Sequence, residues 1–327
     1  MLLSDKLSLN TQNLVRLIRG ELLTNPKISS VINFTTKISN VELGSCFLTS
    51  DASKAKEAIT LGAYAIIFEG DAEIFDGEIA YIKVDSLKSA KFRIMRYFTT
   101  LNGLEFVEIS SIMREILEFM RFDKSVVLVD KEDIFETVLS APSGSIIFSD
   151  DDKLIKAITQ NFKILKPNFE LKIVNQTSIF YLKFSYAESE FFLNLPEIFA
   201  PEVYALIQFL SIKDRKFRFK EIQNFRHFSP IFVDKFYSVK EFGQSYRAFI
   251  VESDEEIFKR SSEFLKSKFK QDIITFSHKN IELESDIKFI NLCEIKTTQN
   301  FRYALILGDK DEIFEMLCRV KASLTLF

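Results

Sequence analysis

Short apolar runs, each followed by a helical pattern and then by another apolar run, recur along most of the chain. That succession confines the fold to the α/β class. A strand buried on both faces is a continuous apolar stretch, and the helix after it returns the chain for parallel pairing. Up to about residue 100 the pattern predicts strands at Cys46-Phe47-Leu48 and over residues 63–68 and 81–84, with helices over 51–61 and 86–98. Asp51 or Ser53 is placed to cap the first helix and Gly62 to end it. Between 103 and 230, strands are expected over 105–109, 125–129 and 145–148, and helices over 111–121, 130–139 and 153–159. Alternating runs at 169–174, 179–186 and 190–195 predict antiparallel strands, and 201–211 with 217–223 a helical pair. The last stretch alternates most clearly. Strands are expected over 231–233, 248–251, 272–276 and 303–307, a short apolar segment at 289–292, and helices over 239–246, 255–269 and 310–320.

Glycine sets the chemistry. The chain of 327 residues holds nine, at 20, 44, 62, 70, 77, 103, 144, 243 and 308. Loops that cradle phosphate need glycine, because the backbone must approach the anion and take φ values that a Cβ forbids. No two glycines stand as G-x-G and none precedes a lysine, so the dinucleotide fingerprint and the Walker loop are both missing. His227 and His278 are the two histidines, with no H-E-x-x-H and no G-x-S-x-G elbow in the chain. Cys46, Cys293 and Cys318 are far apart and read as thiols of a reducing compartment. The acidic runs Asp150-Asp151-Asp152 and Glu252-Ser253-Asp254-Glu255-Glu256 suit either a cation or the first turn of a helix.

A formal net charge of -3, from 43 basic and 46 acidic side chains, gives no long-range pull on nucleic acid. No apolar run is long enough for a membrane span, and the amino end lacks the basic and apolar regions of a signal peptide, so a cytoplasmic protein is expected. The 35 phenylalanines beside no tryptophan fit the codon bias of an AT-rich genome.

The order of parts resembles the Mur ligases, and among them the type that adds D-alanyl-D-alanine to the UDP-muramoyl tripeptide. That family's amino-terminal domain has an Asp-Ser-Arg motif, a Pro-Gly before a Phe-containing strand, and a helix ending in Gly-Ala. Here Thr35-Thr36-Lys37, Leu43-Gly44 and Leu61-Gly62-Ala63 stand at those places, and the family's Asp-Gly-His segment is missing. Where the family has a strand, a P-loop and a helix, this chain has the segment from Glu105 to Glu115, without the glycines or the lysine. Pro230-Ile231-Phe232-Val233-Asp234-Lys235-Phe236-Tyr237 resembles the start of the carboxy-terminal domain, with Asp234 and Tyr237 matching its motif. The segment ending in Leu307-Gly308-Asp309 looks like its late strand and turn.

The resemblance implies three parts: residues 1–102, a reduced central domain at 103–230, and a Rossmann-like domain at 231–327. It implies a non-catalytic binding, scaffolding or regulatory partner in peptidoglycan synthesis or cell shape, with no catalytic residue, metal or cofactor. The expected partner is a cytoplasmic protein of cell-wall synthesis. Thr36, Lys37 and Gly44 are the candidate remnant of a UDP-muramoyl precursor site: a hydroxyl, a cation and a close-approach backbone. Two alternatives stay open. One is an active ATP-dependent ligase holding the nucleotide with Lys310 or Arg114. The other is a protein–protein adaptor, using an aromatic face from residues 217–249 that includes Phe217, Phe219, Phe225, Phe228, Phe232 and Phe236.

Overall fold

The computed structural model describes residues 9–27, 30–71, 73–170, 178–297 and 300–319. The chain is α/β. It forms two compact units, one of Met1–Pro167 with Ala205–Phe219, the other of Asn168–Tyr204 with Lys220–Phe327.

The first unit carries two main sheets. Strands β1 (Glu21–Leu22), β2 (Asn33–Thr35), β3 (Ser45–Leu48), β4 (Ala65–Glu69) and β5 (Ala80–Val84) lie in the order β1-β5-β4-β3-β2. All pairs are parallel except β1 with β5. Cys46, Phe47, Ile66, Ile67 and Ile82 at its centre are fully buried, as expected for strands covered on both faces. Helix α1 (Thr11–Ile18), capped by Asn10, places Leu14 and Ile18 in the core. Helix α2 (Ala52–Thr60) begins at Asp51, whose carboxylate accepts from the N–H groups of Ser53 and Lys54. Gly62 follows with φ +103°, the left-handed stop that glycine permits. Helix α3 (Leu87–Leu101), capped by Ser86, buries Ala90, Ile94 and Met95.

The second sheet holds β6 (Glu105–Glu108), β7 (Val126–Leu128), β8 (Ile146–Ser149) and β9 (Phe162–Ile164) in the order β7-β8-β6-β9, all parallel. Helices α4 (Ser111–Glu118), α5 (Ile134–Ser140) and α6 (Asp152–Ile158) connect its strands. One apolar cluster joins the two sheets of this unit, running from Phe34, Ile67 and Ile94 to Phe106, Phe135 and Ile155.

Helix α7 (Ala200–Ile212) starts in the second unit and ends in the first. The second unit's main sheet has β10 (Ser229–Val233), β11 (Val239–Lys240), β12 (Ala248–Glu252), β13 (Ile273–His278), β14 (Ile287–Phe289) and β15 (Tyr303–Leu307). Their order is β11-β10-β12-β15-β13-β14, parallel from β12 to β14 and antiparallel at β10 and β11. This is the Rossmann-like arrangement expected of the carboxy-terminal region. Asp254 caps helix α8 (Glu255–Phe269), with Glu255 and Glu256 in its first turn, and helix α9 (Lys310–Arg319) follows β15. The expected end of that helix at Val320 lies outside the described residues. A hairpin of Leu182–Tyr186 with Ser189–Leu193 matches two of the three antiparallel runs. The third, at 169–174, runs into residues outside the described set.

Three expectations are corrected. Residues 217–223 form no helix; Phe217–Phe219 is a strand pairing antiparallel with Met120–Phe122. The same pairing ends α4 at Glu118, short of the expected Arg121. Residues 239–246 also form no helix, because Val239 and Lys240 pair with Val233 and Phe232 and Gly243 turns at φ +84°.

Candidate functional site

Two places in the first unit correspond to ligand sites suggested by the sequence: the turn after β6 and the loop after β2.

The turn from β6 to α4 consists of Ile109 and Ser110 alone. Ser110 caps the helix, its hydroxyl accepting from the Met113 N–H at 3.2 Å. A two-residue connection has no length to wrap phosphates, and its cap already takes one of the N–H groups that would face an anion. The crevice at the carboxyl ends of these strands is about 570 Å³, lined by Arg114, Lys131 and Lys153 opposite Asp150, Asp151 and Asp152. This end of a parallel sheet is where α/β proteins commonly bind ligands. Of these three cations, Arg114 and Lys131 are engaged. Arg114 donates to the Val129 carbonyl at 2.9 Å and to Asp150 at 3.0 Å, and pairs with Asp130. Lys131 lies 3.4 Å from Asp151. Asp151 also caps α6, and Asp152 pairs with Lys156 at 2.7 Å, which holds its carboxyl below the usual range. The acidic run therefore serves a helix start and ion pairs. Among the described residues no group of three or more potential ligands is placed to hold a metal ion.

Thr36 and Lys37 follow β2 and meet α5. One oxygen of Glu136 accepts three hydrogen bonds: from the Thr36 N–H at 2.8 Å, the Thr36 hydroxyl at 3.0 Å and the Thr35 hydroxyl at 3.1 Å. Lys37 donates to Asp133 at 2.5 Å, a bond that raises the lysine pKa. Gly44 stands at the other end of the strand pair. Its carbonyl accepts from the Ile32 N–H at 3.0 Å and its N–H donates to Gly62. With Asn33 opposite Ser45 in parallel register, Gly44 faces Ile32. About four residues at ~3.3 Å each put it roughly 13 Å from Thr36. The structure brings Thr36 and Lys37 to α5 and does not bring Gly44 to them.

Beside this junction lies a cleft of about 520 Å³ between β2, the end of α3 and the end of α5. Asn33, Thr35 and Glu136 line it, with Phe34, Phe98 and Asn102. Neither Asn33 nor Glu136 is visible as a site residue from sequence. Glu136 meets Thr36 across 100 positions, a separation that leaves no local pattern.

In the second unit Asp234 and Tyr237 build the turn between β10 and β11. Asp234 accepts from the N–H groups of Phe236 at 2.8 Å and Ser238 at 2.9 Å. Burial works to raise its pKa, but these donors and Lys240 outweigh it, and the carboxyl stays below its usual range. Tyr237 has φ 61° and stacks on Phe249 at 6.0 Å, and burial raises its phenol pKa. Both residues act in the turn itself. His227 pairs with the fully buried Glu252 at 2.9 Å, while Glu252 also accepts from the N–H groups of Phe228, Ser253 and Asp254. The aromatic run is divided. Phe225 and Phe228 are buried against Phe199, Phe180 and Phe264, whereas Phe236 is 73% exposed.

No family model matches the chain, and no curated protein matches it. Among solved structures it is similar to Mur ligases. MurF from Acinetobacter baumannii has a TM-score of 0.46 and 10% identity, covering 98% of this chain and 94% of that one. The MurF ligase from Thermotoga maritima in complex with ADP has a TM-score of 0.43 and 13% identity, covering 88% and 97%. Likeness at these values assigns neither activity nor ligand. No helix among the described residues is long and apolar enough to cross a membrane.

Proposed function

We propose that this chain is a non-catalytic, Mur-ligase-like protein. It acts as a binding, scaffolding or regulatory partner in peptidoglycan synthesis or cell shape. The motifs at residues 35–37, 43–44, 61–63, 230–237 and 307–309 support the kinship, with parts at 1–102, 103–230 and 231–327. One observation carries the loss of catalysis. The place of the phosphate loop is a two-residue turn without glycine or lysine, beside an arginine already bonded to carboxylates. An ATP-dependent reaction would need Arg114 to release both Asp130 and Asp150, leaving those acids against the triphosphate.

The partner in this reading is a cytoplasmic protein of cell-wall synthesis. A UDP-muramoyl precursor would meet Thr36 and Lys37, where its diphosphate competes with Asp133 and Glu136. Incubation with ATP–Mg²⁺, a UDP-muramoyl peptide and D-alanyl-D-alanine is expected to release no ADP. ADP release that depends on the muramoyl nucleotide would overturn the non-catalytic reading. A melting curve unchanged by the precursor alone would remove it as a ligand and leave the protein partner.

A further inference from the structure

We draw no further inference here: the strongest candidate, the cleft of about 500 Å³ at the amino ends of β6 and β9 where Lys163 and Lys213 meet, carries none because both ammonium groups are already paired with Glu105.

Discussion

Gly44 shows what a single residue decides. Its φ of +90° lies in the region that side chains avoid, and a Cβ there would sit 2.9 Å from Ile32 Cγ1. Gly44→Ala is therefore expected to destabilise the first unit by about 1–2 kcal/mol, a melting point lower by a few degrees. Gly77 has no left-handed φ, and a Cβ there would meet nothing within 4 Å, so Gly77→Ala is the control that should barely move. Two half-buried acids, Glu105 and Asp234, act through pH. Burial works to raise the Glu105 pKa, but Lys163 and Lys213 more than offset it, and Asp234 is likewise held low by its turn. Because the folded values lie below the unfolded ones, protonation favours the unfolded chain. Their stabilisation is complete above about pH 5 and is lost as pH falls through and below about 4. Urea midpoints should fall over that window, and Glu105→Gln should flatten the fall. A wild-type midpoint that rises on acidification would contradict the assignment.

At the scale of elements, the sequence makes legible what is decided locally. Helix α8 is expected and found at Glu255–Phe269, since its cap, acidic first turn and basic last turn all lie within the segment. Helix α2 is legible for the same reason, with Asp51 before it and Gly62 after. Phe217–Phe219 reads wrongly as helix because its partner, Met120–Phe122, lies almost a hundred residues earlier. The alternation Phe-Arg-Phe is a strand pattern, but three residues are too few to outweigh the apolar spacing around them. A helix over residues 239–246 passes over Gly243, whose positive φ a helix interior cannot use. The junction of β2 with α5 has no local signal at all. Glu136→Ala removes the acceptor of three donors and is expected to cost about 1–3 kcal/mol in urea unfolding, while Glu136→Gln keeps most of the stability. Equal losses in the two variants would show that the threonine bonds contribute little.

The whole molecule is layered α/β, with helices connecting the strands of its parallel sheets. In the first unit parallel strands deliver their carboxyl ends to a crevice where Asp130, Asp150 and Asp151 hold Arg114 and Lys131. The sequence points to a crevice without a glycine-rich phosphate loop, because no two glycines stand as G-x-G and none precedes a lysine. Which side chains meet at this crevice is not legible, since Arg114 meets Asp150 only once β6 and β8 are paired. The most direct test of the central claim is the melting of the full chain with millimolar ATP–Mg²⁺. A ligand at 100 times its dissociation constant stabilises by about 2.7 kcal/mol, which moves a melting point by several degrees. An unchanged melting point with ATP–Mg²⁺ is expected; a saturable rise of several degrees would contradict the non-catalytic reading.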